Sequence, residues 1–163
     1  MTKQLTRHIG VVGLGNAGAA IARAFAAHGP VAGFDKDTGR RQAAANAGID
    51  AFDQLEDLAA AVDVVVLSLP HPEVSVVVTT ALMACDKRPD LIIDTSTVTP
   101  QTAIDCAALA AAGNSAFVDA AIAGGVASMA SGQMTFFMGG TAAAKSLARP
   151  VLEPVAAGIY DLG

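Results

Sequence analysis

Near the N-terminus, Gly13-Leu14-Gly15-Asn16-Ala17-Gly18 sets three glycines at the spacing G-x-G-x-x-G, and that spacing has a chemical use. The first glycine permits a tight turn, the second lets backbone approach a pyrophosphate, and the third lets a helix pack closely on a strand. The helix that follows offers N–H donors and a positive dipole end to an anion. In a chain with 16 glycines the spacing alone arises by chance, so the flanking elements decide. The run Ile9 to Gly13 (IGVVG) reads as a buried strand, Asn16 to His28 as a helix closed by Gly29 and Pro30, and Val31 to Asp35 as a second strand. Asp35 therefore ends the second strand 22 positions after Gly13, where a carboxylate accepts hydrogen bonds from adenosine ribose hydroxyls and repels a 2'-phosphate. These residues predict a dinucleotide site that favours NAD. NADP stays open, because Lys36, Arg40 and Arg41 follow closely, although a solvated helix face is the commoner role of such charges.

Three later strand ends carry further candidates. The segment Ser68-Leu69-Pro70-His71-Pro72-Glu73-Val74 follows the most strand-like run, Val62 to Leu69. Ligands of doubly wound sheets bind beyond the carboxyl ends of strands, which makes Leu69 and Pro70 an expected apolar wall of the cofactor site. His71, a lone histidine in that loop, reads as solvated or hydrogen-bonded rather than as a catalytic base. In Asp94-Thr95-Ser96-Thr97-Val98-Thr99-Pro100, Thr99 fits a helix cap ahead of Pro100 and leaves Ser96 and Thr97 to face the cleft. Asp119-Ala120-Ala121-Ile122-Ala123-Gly124-Gly125 ends another strand in a glycine pair, suited to an anion-binding nest or simply to a turn of positive φ.

The elements that must position these residues alternate along the chain. Helices are expected over Asp37 to Ala47, Gln54 to Ala61, Pro100 to Gly113 and Thr141 to about Leu152, and strands over Leu91 to Asp94, Ala116 to Ile122 and around Ala156 to Tyr160. A Gly/Ser-rich turn follows Gly124, and Met134 to Met138 is a short apolar run before Gly139-Gly140. Such alternation implies an α/β fold, a doubly wound and mostly parallel Rossmann sheet in three layers, forming a single domain over residues 1–163.

Composition agrees: 53% hydrophobic and 15% charged residues exclude disorder and favour a sheet covered on both faces. Ten scattered basic residues in a chain of net charge -5 argue against nucleic acid. Cys85 and Cys106, outside any metal-ligand spacing, read as two buried thiols in a reducing compartment. Lys3 and Arg7 ahead of Ile9 to Ala22 superficially resemble a signal peptide, but the patterned glycines and Asn16 argue against one. Asp63 interrupts the best candidate run, Leu58 to Leu69, so no membrane span is expected and the protein reads as cytoplasmic.

Together these segments resemble the β-hydroxyacid dehydrogenase family, which includes 3-hydroxyisobutyrate dehydrogenase and the cofactor domain of 6-phosphogluconate dehydrogenase. The resemblance is carried by Gly13 to Gly18, Leu69-Pro70, Asp94-x-Ser96-Thr97-x-x-Pro100, and Asp119-Ala-x-x-x-Gly124-Gly125 followed by Gly132 and Gly139-Gly140. It implies NAD(P)-dependent oxidation of a small 3-hydroxy acid. Gly13, Leu14, Gly15, Asn16, Ala17, Gly18, Asp35, Leu69, Pro70 and Thr97 would hold the cofactor, and Ser96, Ala123, Gly124 and Gly125 the substrate. The chain departs from the family at Ala123, where serine is usual, at Ala17, where methionine is usual, and at His71, where asparagine is usual. Family members continue into an all-helical domain whose lysine is the general acid/base, a domain expected to be absent here. Of Lys3, Lys36, Lys87 and Lys145, none is expected at a strand end facing the cleft. The resemblance thus assigns no catalytic residue and no metal to this chain, which is expected to bind cofactor without turnover on its own. A homodimer is the expected assembly. The competing readings are a stand-alone nucleotide-binding module, an imine reductase relative and, last, a methyltransferase, which leaves Gly124-Gly125 without a role.

Overall fold

Three largely apolar runs become strands whose every residue is buried, Ile9–Val12, Val64–Leu67 and Leu91–Asp94, and in a fourth, Val31–Phe34, all but Phe34 are buried. In the computed structural model, which describes residues 4, 5 and 7–163, the elements follow in order. They are β1 (Ile9–Val12), α1 (Asn16–Ala26), β2 (Val31–Phe34), α2 (Thr38–Asn46), β3 (Asp50–Ala51), α3 (Leu55–Ala61), β4 (Val64–Leu67) and α4 (Pro72–Ala84). The second half comprises β5 (Leu91–Asp94), α5 (Pro100–Ala112), β6 (Ala116–Ala123), α6 (Val126–Ala130), β7 (Met134–Gly139), α7 (Ala142–Leu152) and β8 (Ala156–Asp161). Lys3, one of the two basic residues of the superficial resemblance to a signal peptide, lies outside the described residues.

The strands form one sheet in the order β3-β2-β1-β4-β5-β6-β7-β8. The first six in that order are parallel, β7 turns antiparallel against β6, and β8 runs parallel to β7. The chain leaves β1 toward β2 on one side and returns to β4 on the other, so a crevice opens beyond the carboxyl ends of β1 and β4. Alternate residues of each strand serve opposite faces. Val11, Val66, Ile93 and Val118 pack with Ile21 and Phe25 of α1 and Leu152 of α7. Val65, Ile92 and Phe117 pack on the other side with Leu58 of α3, Leu82 of α4 and Cys106 of α5. The expected three layers are present. At the far edge, Phe137 of β7 and Tyr160 of β8 stack with ring centroids 5.5 Å apart. Among the described residues no helix is long and apolar enough to cross a membrane.

Three elements differ from expectation. Helix α4 was not foreseen, because Val74, Val76, Val77, Val78, Thr79 and Thr80 crowd it with β-branched residues that favour strands. Pro72 sits at its favoured first-turn position, and burial of Ser75, Thr79 and Leu82 at helical spacing shows that packing overrides propensity. The expected turn after Gly124 contains the five-residue α6, and β3 is a two-residue edge strand. The Ser75 hydroxyl is fully buried, and its oxygen has no hydrogen-bond partner among the described residues. Ser75→Ala removes that group and supplies a better helix former, so it is expected to raise stability by about 1–2 kcal/mol. Urea unfolding checks this: the midpoint should rise at constant m, and a lower midpoint would show the hydroxyl to be satisfied in solution.

Candidate functional site

The turn between β1 and α1 is built from its three glycines, each for a different reason. Gly13 has φ +94°, and a side chain there would run into the Ser68 carbonyl just beyond β4. A side chain on Gly18 would overlap the Gly13 carbonyl, so α1 lies on the end of β1 only because Gly18 has no Cβ. Gly15 is the opposite case: a Cβ built there meets nothing within 4 Å and points into open space. Gly15 caps α1 without a side chain, and the first intrahelical bond runs from Ala19 N–H to the Gly15 carbonyl at 2.8 Å. The amides of Asn16, Ala17 and Gly18 precede that bond and border a cleft of about 380 Å³.

This cleft gathers most of the predicted cofactor residues: Gly13, Gly15, Asn16, Ala17, Gly18, Asp35, Leu69 and Pro70. Leu14 differs, because its side chain is buried in the core and only its amide takes part, donating to Asp35 Oδ2 at 2.8 Å. Asp35 is 5% exposed, and its Oδ1 accepts from Asp37 N–H at 2.9 Å. Arg40 Nη1 lies 3.4 Å from Asp35 Oδ2 on a half-exposed side chain that also borders the cleft. Arg41, one residue on, is occupied elsewhere. It donates to the Asp35 carbonyl at 2.8 Å, the Lys36 carbonyl at 3.2 Å, Thr38 Oγ1 at 3.1 Å and Asp53 Oδ1 at 3.1 Å. Arg41 thus clamps the loop after β2 and is not free to reach a phosphate. Lys36, expected away from the cleft, instead borders it next to Asp35, because the chain turns over the end of β2.

Cleft residues that were not predicted come from the unforeseen helix and from the ends of the central strands: Val74 and Val78 of α4, with Val12 and Phe34. Ser96, expected to face the cleft, is 6% exposed and accepts from Leu69 N–H at 2.8 Å, so it ties two loops together. Its own amide donates to Asp94 Oδ1 at 2.9 Å. Thr97 is exposed and does not border the cleft, while Thr99 caps α5 as expected, accepting from Thr102 N–H at 3.1 Å. Ala123, the last residue of β6, and Gly124 and Gly125 just beyond it are exposed, with Gly124 at φ +125°. His71 caps α4 by position only and stands exposed outside the cleft. Both cysteines are buried free thiols whose ionisation burial pushes up.

Fold and cleft together define a nucleotide-cofactor domain of the doubly wound class. Residues 8–163 match the family described as the NAD binding domain of 6-phosphogluconate dehydrogenase, and the chain belongs to that family. It is 35% identical over 156 residues to a probable 3-hydroxyisobutyrate dehydrogenase of Mycobacterium tuberculosis, a match covering 95% of this chain and 53% of that protein. An NAD-dependent L-serine dehydrogenase of Pseudomonas aeruginosa is 31% identical over 161 residues, covering 96% of this chain and 54% of the relative. A solved structure of Mycobacterium tuberculosis 3-hydroxyisobutyrate dehydrogenase with L-serine superposes with a TM-score of 0.88 at 36% identity, over 96% of this chain and 54% of that one. The chain therefore spans about half the length of the curated relatives it matches.

The different surroundings of Gly15 and Gly18 make opposite demands on substitution. Gly18→Ala is expected to lose more than about 2 kcal/mol, because backbone must move. Gly15→Ala is expected to stay within about 1 kcal/mol of the wild type, as an alanine cap at an extended position. Parallel thermal and urea unfolding of the two variants distinguishes them; equal losses would contradict the open position of Gly15.

Proposed function

We propose that residues 1–163 form the cofactor-binding half of a dehydrogenase acting on a small 3-hydroxy acid, with NAD as its preferred cofactor. The observation that carries this reading is the Gly15 position, open beneath the first turn of α1 and next to a buried carboxylate. A dinucleotide pyrophosphate fits where a Cβ would intrude, facing the amides of Asn16 and Ala17 and the positive end of the helix dipole. Asp35 Oδ1 accepts one N–H and keeps a lone pair for a ribose hydroxyl. A second ribose contact, at Oδ2, would compete with Arg40. Leu69 and Pro70 supply the apolar wall that keeps water from the reactive end of the cofactor.

NAD, when bound, supplies the acceptor for a hydride from the carbinol carbon of the substrate. The exposed edge carrying Thr97 and Ala123-Gly124-Gly125 is the place we assign to the substrate and to the nicotinamide side, with Ser96 acting from beneath through Leu69. The relatives named for L-serine and 3-hydroxyisobutyrate support the substrate class, since both compounds carry a hydroxyl on the carbon β to the carboxylate. A proton acceptor for that hydroxyl is the missing part. The ionisable side chains bordering the cleft, Asp35, Lys36 and Arg40, cluster at the adenosine end. We infer that this chain alone binds cofactor without measurable turnover, because positioned acid/base groups contribute about 10²- to 10⁴-fold.

Calorimetry with NAD and NADP tests the binding half. NAD is expected to bind more tightly, and Asp35→Ala to weaken it about 10- to 100-fold, the contribution of hydrogen bonds to a charged acceptor. Arg40→Ala is expected to reduce NADP binding further while leaving NAD unchanged or tighter. Unaltered NAD affinity in Asp35→Ala would remove Asp35 from the site. For turnover, NADH absorbance with L-serine and 3-hydroxyisobutyrate should show none for the wild-type chain. Activity that His71→Ala abolishes would place the missing base within this chain.

A further inference from the structure

Below the cleft, on the face of the sheet covered by α4 and α5, two carboxylates occupy neighbouring strands. Asp94 ends β5 and Asp119 lies directly beside it on β6, partners in the parallel register. Their side chains share a face, because Ile92 and Phe117, two residues earlier on each strand, belong to the same side of the core. Asp94 is fully buried. Asp94 Oδ2 and Asp119 Oδ1 are both inaccessible and without hydrogen-bond partners among the described residues. Among the described residues, β4 to β7 and the two covering helices contain no lysine or arginine within their bounds. Helix α5 brings the Cys106 thiol and, near that thiol, Asp105, and α4 brings the Thr79 hydroxyl against Cys106. Leu67 of β4, beside Asp94, and Gly139 of β7, beside Asp119, carry no charge. Strands lie about 4.8 Å apart, so the two side chains are near neighbours and the Asp94 charge bears on Asp119.

We infer that a proton held on Asp119 lets the two carboxyl groups lie side by side, and that the pair is a positioning device for the apolar wall of the cleft. The connection is a short relay. Asp94 Oδ1 holds the Ser96 amide at 2.9 Å, and Ser96 Oγ holds the Leu69 amide at 2.8 Å, with Leu69 bordering the cleft. The Asp119 proton lets β5 and β6 end side by side and keeps Asp94 seated beneath Ser96; its loss sets a new charge on Asp119 against that of Asp94. Burial first, and the Asp94 charge second, push Asp119 up to about 6. A folded-state value above the unfolded one means that the native chain holds the extra proton between about pH 4 and about pH 6. The stability from that proton is present at the acid end and is lost as pH rises through this window.

The test is an NMR pH titration of the wild-type chain, following aspartate carboxyl carbons together with the Leu69 amide. Asp119 is expected to titrate near about 6, with the Leu69 amide moving at the same midpoint. In Asp119→Asn the Leu69 amide should stay still through that range, and in Asp94→Asn the Asp119 midpoint should fall. The Tm advantage of Asp119→Asn over wild type should grow by several degrees from about pH 4 to about pH 7. An ordinary Asp119 midpoint of about 4 would overturn the held proton, and a Leu69 amide that ignores the Asp119 midpoint would overturn the relay. Where the variants fail to fold, the wild-type titration alone decides. No cofactor enters the titration, so its outcome does not depend on the proposed activity.

Discussion

The approach of α1 to the end of β1 is limited by a single contact, the bare Cα of Gly18 against the carbonyl of Gly13. With that distance set, the first amides of α1 stand directly over the carboxyl end of β1, and the positive φ of Gly13 tucks the turn under Ser68 at the end of β4. Strand β2 is attached through Asp35, just past its end, which receives the Leu14 amide, and through the Phe34 carbonyl, which receives the Gly13 amide at 2.9 Å. Three central strands thus meet on one six-residue turn. The crevice of the doubly wound topology becomes a shaped cleft only because all three are held there at once.

The same economy governs the loop after β2. Adjacent arginines on α2 project about 100° apart around the helix axis, so Arg41 turns inward to the backbone of its own loop while Arg40 is left at the mouth of the cleft. Asp35 consequently serves two roles. It accepts loop amides that would otherwise lack partners, and it presents negative charge that Arg40 partly offsets. This end of the cleft therefore sets a buried carboxylate against a half-exposed guanidinium.

What was legible in the sequence was what is local. The glycine spacing, Asp35, the Thr99 cap and the apolar runs of β1, β4 and β5 all carry their reason within a few residues. Ser96 was misread for the contrary reason: its hydroxyl is taken up by an amide 27 residues away on another loop. Helix α4 was hidden because its β-branched content argues for a strand, and only packing against α5 and the sheet makes it helical. Arg40 and Arg41 looked equivalent until the rotation of α2 separated them. The paired carboxylates were invisible, since nothing in Asp94 or Asp119 alone foretells that the register sets them side by side.

The aromatic stack at the sheet edge has an optical consequence. The chain has no tryptophan and a single tyrosine, Tyr160, whose ring lies over Phe137 between the last two strands. Its intrinsic emission is that of one phenol at one known place, a reporter of whether β7 and β8 are joined. The window in which a reduced nicotinamide emits is left free of any indole background.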